Sequence, residues 1–112
     1  MASVKEIAED SIARRNFERK FNRLRDEWKS RKKSRSACVE EAVMHPAYLR
    51  MIGMGSDAIP LILAELEKET DHWFCALYAI SEADPVPEES RGKMRKMVAA
   101  WIEWGKNQGY RW

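Results

Sequence analysis

The apolar residues of this chain recur at helical spacing wherever they are dense, and nowhere do they alternate as a half-buried strand requires. Over residues 10–33, Phe17, Phe21, Leu24 and Trp28 follow one another at steps of four, three and four, which is the stripe of one amphipathic helix face. Charged side chains fill the other faces. The pattern predicts an all-α fold, a small bundle of about five helices opened by a long basic one.

Punctuation along the chain sets the later elements. Residues 30–36 read SRKKSRS, with nothing apolar to bury, and are expected to form a linker or a frayed helix end. His45-Pro46 suits a helix start, because proline at the first helical position gives up an N–H that has no partner anyway. Tyr48, Leu49 and Ile52 would face inward from that helix, and Gly53-Met54-Gly55 would end it. Ser56 or Asp57 would cap the next one, with Pro60 in its first turn and Ile59, Ile62, Leu63 and Leu66 buried. Thr70-Asp71 offers a further cap, ahead of a helix carrying Trp73, Phe74, Leu77 and Ile80 that should pair with its predecessor as a hairpin. Asp84-Pro85-Val86-Pro87 would stop it. Glu88 and Glu89 suit the positive end of a last helix bearing Met94, Met97, Val98 and Trp101, with Gly105 as its stop and residues 106–112 as a tail.

With 112 residues, one domain is expected, divided into a basic amphipathic helix and linker (residues 1–35) and a compact helical part (residues 36–112). Residues 1–50 hold 13 Lys/Arg against 8 Asp/Glu, whereas residues 51–112 hold 7 against 10, so charges of +5 and −3 lie behind the net +2. No apolar run approaches the ~20 residues of a membrane span. Acidic Glu6, Glu9 and Asp10 stand where a secretion signal would be apolar, which leads to a cytoplasmic reading without membrane attachment. Cys38 and Cys75 belong to no ligand pair and are expected to be buried, reduced thiols.

No catalytic constellation is legible. His45 and His72 are the only histidines, and the acidic residues near His72 (Glu67, Glu69, Asp71) fall where a solvated turn is expected, so neither enzyme, metal nor cofactor is predicted. Gly53-x-Gly55 lacks the spacing and the lysine of a phosphate loop. Five tryptophans ask for more explanation. Trp73 and Trp101 fall on core stripes, while Trp104, Tyr110 and Trp112 crowd the end beside Arg111, as aromatic anchors of a protein interface do. Phe17, Phe21, Leu24 and Trp28 need burial too, in the domain, in a second copy, or in a partner. Residues 14–35 hold 11 Lys/Arg and 3 Asp/Glu. Arg14, Arg15, Arg19, Lys20, Arg23, Arg31, Lys32, Lys33 and Arg35 could lie along a phosphate backbone.

Two resemblances extend this reading. The stretch over residues 54–80, with Ala58, Ile59, Pro60, Leu63, Leu66, Ala76 and Ile80 at its matching positions, looks like one unit of a HEAT-type helical repeat, which implies packing and no chemistry. The segments HPAYLRMIGMG, DHWFCALYAI, DPVP, Arg91-Gly92 and AWIEWG resemble a family of short uncharacterised bacterial proteins, which implies a bacterial or mobile-element origin. The expectation is a non-enzymatic protein-interaction module that binds a protein partner or itself through Phe17, Phe21, Leu24, Trp28, Trp104, Tyr110 and Trp112. By analogy it would be a neutralising or accessory partner of a toxin or defence protein. The alternative is a nucleic-acid-binding or regulatory protein that uses the basic helix.

Overall fold

The computed structural model describes residues 4–31 and 42–112, with side chains in the first stretch from Ser11 onward. Five α-helices and two single 3-10 turns, with no strand, make up the regular structure of the described residues: α1 (Val4–Lys29), α2 (Pro46–Gly53), a 3-10 turn (Ser56–Ala58), α3 (Ile59–Lys68), α4 (Phe74–Ser81), a second 3-10 turn (Glu88–Ser90) and α5 (Met94–Asn107). The all-α bundle is as the periodicity predicts.

Helix α1 packs chiefly on α2, α2 on α4, and α3 on α5. The expected hairpin partners α3 and α4 touch, but each has its larger interface with another helix. One apolar cluster runs from Phe21 to Trp101. Its centre is aromatic: the Trp28 ring lies 4.5 Å from Trp73 and 5.1 Å from Tyr48, with Phe21 stacked 6.1 Å from Trp73. Tilted and offset contacts at these spacings suit the ring quadrupoles. The Trp28 indole N–H, which would be costly to bury alone, donates to the Ala42 carbonyl at 2.9 Å.

The helix ends follow local chemistry, with several departures from the sequence expectations. At α2, Pro46 opens the helix and His45 caps it, with its Nδ1 accepting from the Ala47 N–H at 3.1 Å. Ala47, Tyr48 and Met51 form the buried face, whereas Leu49 points outward at 47% exposure, because it falls on the far side of so short a helix. Gly55 takes φ +82°, the left-handed turn for which glycine is suited. Neither Ser56 nor Asp57 makes a side-chain cap; the 3-10 turn closes on the backbone through the Ala58 N–H and the Gly55 carbonyl. Pro60 does sit in the first turn of α3, and Ile59, Ile62, Leu63 and Leu66 are buried there.

Asp71 is no cap for α4 either, since that helix starts three residues later at Phe74. The Tyr48 hydroxyl reaches over from α2 and accepts from the Ala76 N–H at 2.7 Å, so a tertiary contact satisfies one of the orphan donors of the first turn. Helix α4 ends before the proline pair, with Glu82 left-handed at φ +58°. The Ser81 hydroxyl bonds back to the Leu77 carbonyl at 2.7 Å and accepts from the Ala83 N–H, drawing the chain out of helix there. Glu88 and Glu89 occupy the separate 3-10 turn and lie outside α5, whose first turn holds no acid.

Gly105 does not stop the last helix. It is buried inside α5, where a Cβ would stand 2.5 Å from Leu63 Cδ1 and 3.1 Å from Trp112 Cη2. Close packing therefore favours glycine at this position, since an added Cβ would force the buried Leu63 side chain to shift, and the chain turns out of the helix later, at Gly109 (φ +88°). Cys75 is exposed, contrary to the expectation of a buried thiol, because Ala76 and Leu77 take the inward positions of α4. Cys38 lies outside the described residues.

The radius of gyration is 15.4 Å, against about 13 Å for a compact chain of this length. The longest extent is 51 Å and the others are 31 and 22 Å. At 1.5 Å per residue α1 alone spans about 39 Å, more than either short dimension. Consistently, residues 11–16 are all exposed and Phe17 is only half-buried, so this part of α1 stands clear of the body.

Candidate binding surface of the first helix

The cations described along α1 and just past its end fall into two groups. Those at its C-terminal end meet carboxylates of the second half of the chain. Arg25 pairs with Glu65 at 2.7 Å, Lys29 with Glu69 at 3.2 Å, and Arg31, just past the helix, with Asp71 at 2.9 Å. Each partner lies 40 residues on, so the end of α1 runs in step with the end of α3 and the turn after it. The opposite charges of the two halves find one another here.

The three pairs differ in worth. Lys29–Glu69 is solvated, with Glu69 61% exposed, and belongs with surface pairs that contribute under about 1 kcal/mol. Arg25 is held more firmly. Burial pulls its proton affinity down, but hydrogen bonds to Glu65 and Asp26 outweigh that and leave its pKa above the ordinary value. Arg31 is the most enclosed, its side chain 11% and that of Asp71 7% exposed. Its guanidinium also lies over the Trp28 ring at 3.9 Å and donates to the Trp28 carbonyl at 3.0 Å. Asp71 Oδ1 accepts from the His72 N–H at 2.8 Å as well, while Oδ2 is buried with no partner among the described residues.

The second group faces water. Arg14, Arg15, Arg19, Lys20 and Arg23 are exposed, and none forms an ion pair among the described residues. Arg15, Arg19 and Arg23 recur every four positions, which aligns them about 6 Å apart down the side opposite Phe21 and Leu24. A shallow groove of about 260 Å³ lies to one side, lined by Glu18, Phe21, Arg25, Leu61, Glu65 and Lys68. The Arg25–Glu65 pair crosses it and takes up much of its polarity.

Phe21, Leu24 and Trp28 are 0–1% exposed in the chain's own core and Phe17 is half-buried, so the stripe read as a partner face is internal. The physical reason is the aromatic pocket supplied by Tyr48 of α2 and by Trp73, the residue before α4, which satisfies these side chains within the chain. Arg31 likewise belongs to the fold and not to a free basic face. Lys32, Lys33 and Arg35, with most of the expected linker, lie outside the described residues.

At the C-terminus, Trp104 stands edge-on to Trp101 at 5.2 Å and packs on Tyr110 at 5.8 Å. The Tyr110 N–H donates to the Gly105 carbonyl at 3.0 Å, and Trp112 lies against Gly105 while remaining 38% exposed. The tail thus folds back on α5 with only part of its aromatic surface open. Sequence reasoning did not single out Arg25 or Glu65, and it read Asp71 as a helix cap or part of a solvated turn, not as the partner of Arg31. The only trace of their pairing is the charge contrast between the halves, because a separation of 40 residues corresponds to no local period.

Among the described residues no three His, Cys, Asp or Glu side chains converge as a bound metal would need. No single helix there is long and apolar enough to cross a membrane. Fold and surface together define a small all-α bundle with a projecting basic helix. Comparison of the chain with family models, with curated proteins and with solved structures gives no match in any of the three.

Proposed function

We propose that this chain is a non-enzymatic binding module and that it offers an anionic partner the solvent face of α1 over residues 11–23. The division of the α1 cations supports this reading. Arg25 and Lys29, with Arg31 just past the helix, are taken up by the chain's own carboxylates, while five are exposed on a helix anchored by Phe21, Leu24 and Trp28. Side chains on an anchored helix meet a partner without the entropy cost of ordering a loose segment. The test is charge reversal, with Arg15→Glu, Arg19→Glu and Arg23→Glu combined. All three positions are exposed, so the melting temperature should hold to within a few degrees, while partners retained from lysate by the wild-type protein are lost. A variant that keeps every partner ends the proposal.

A protein partner bound elsewhere is the second reading. It is favoured by Leu49 and Tyr78, 47% and 57% exposed on the outer sides of two helices that pack together, and by the 38% exposed Trp112. Leu49→Asp combined with Tyr78→Asp should abolish such binding and spare any that depends on the arginine row.

A further inference from the structure

We infer that the anionic partner is duplex DNA, met by α1 side-on in the major groove through Arg15, Arg19 and Arg23. This rests on the binding-module reading above and names its partner. Two independent observations carry it. The first is charge: counting round the helix, the outward strip from Ile12 to Arg23 holds Arg15, Asn16, Arg19, Asn22 and Arg23 and no carboxylate until Asp26. Arginine and asparagine are side chains that grip phosphates and read base edges. The second is access. Residues 11–16, which include Arg15, are exposed at every position, while Arg19 and Arg23 are exposed on the side of α1 turned away from the body, and a helix about 10–12 Å across matches a major groove about 12 Å wide.

The other occupants fit less well. Single strands are held by stacking on exposed aromatics, yet the aromatics of α1 are turned inward, with Phe21 and Trp28 buried and Phe17 half-buried. An A-form RNA duplex has a major groove too narrow and deep for side chains to read. An acidic protein surface would normally be anchored by buried apolar or aromatic groups, and the only large apolar side chain described on this face is Ile12. A second copy would bring one arginine row against another.

The test is fluorescence anisotropy of a labelled duplex of about 25 base pairs with the full chain, titrated between 50 and 200 mM salt. Three neutralised phosphates give a log–log salt slope of about −2.7, or about 40-fold weakening over that range. Arg15→Gln with Arg19→Gln and Arg23→Gln should flatten the slope almost completely. Lys93→Gln with Arg95→Gln and Lys96→Gln, an equal loss of exposed charge at the start of α5, should leave it unchanged. Thermal melts of both variants confirm that they are folded. Absence of binding at 50 mM salt, equal losses in the two variants, equal affinity for single-stranded DNA or duplex RNA, or a salt-independent dimer would each overturn the inference. If the arginine variant loses a protein partner from lysate while the wild type ignores DNA, the DNA assignment fails and the binding-module reading stands.

Discussion

Tyr48 shows how much one side chain does in a bundle of short helices. Its hydroxyl donates to the His72 carbonyl at 2.8 Å and accepts from the Ala76 N–H at 2.7 Å, fixing the entry to α4 where no local cap exists. Tyr48→Phe removes both bonds and should cost about 1–3 kcal/mol in urea unfolding. Burial pushes the Tyr48 phenol above its ordinary pKa of 10.0. The folded state therefore favours the neutral form, and that contribution is complete below about pH 10 and lost as the pH climbs through the folded value. Stability measured against pH should fall on the alkaline side of 10, and fall less in Tyr48→Phe. Gly105 is the second telling residue. Alanine is the better helix former by about 1 kcal/mol, but its Cβ would collide with Leu63 and crowd Trp112. With an overpacking cost of about 1–3 kcal/mol set against that gain, Gly105→Ala should come out less stable by up to about 2 kcal/mol, seen as a lower denaturation midpoint at unchanged slope.

At the scale of elements, the seam between α1 and the turn after α3 is where charge enters the fold. Arg31→Met would leave the Asp71 carboxylate buried without its cation and should destabilise by about 3 kcal/mol or more. Lys29→Met, at a solvated pair, should change stability by under about 1 kcal/mol. Arg31→Met combined with Asp71→Leu should recover much of the loss, because no charge is then left unpaired. A double-mutant cycle on these two residues measures their coupling directly.

For the molecule as a whole, α1 is a core element with one free face. Phe21, Leu24 and Trp28 complete the aromatic cluster that Tyr48 and Trp73 cannot close alone. A chain starting at Ser36 should therefore lose cooperative thermal unfolding and most of its near-ultraviolet circular dichroism. Removing Trp28 alone, as Trp28→Ala, should already cost about 3–5 kcal/mol. A truncated chain with a sharp melt would show residues 36–112 to be self-sufficient. The arginine row can be altered without such damage, since it touches none of that core.

Local chemistry was enough to read the helical class, the opening of α2 at Pro46, the turn at Gly53–Gly55 and the stripes of α1 and α3 from the sequence, because period and turn residues act over a few positions. The same stripe on α1 was legible as apolar but not as internal, since nothing within residues 10–33 says whether its cover comes from another part of the chain or from another molecule. Gly105 reads locally as a helix stop, and only the approach of Leu63 and Trp112 makes it a packing residue within a helix. The cap that Tyr48 supplies to α4 and the three ion pairs 40 residues apart belong to the tertiary structure for the same reason. Contacts between distant segments depend on how the helices are placed, and that placement is decided by the shared burial of Trp28, Tyr48 and Trp73.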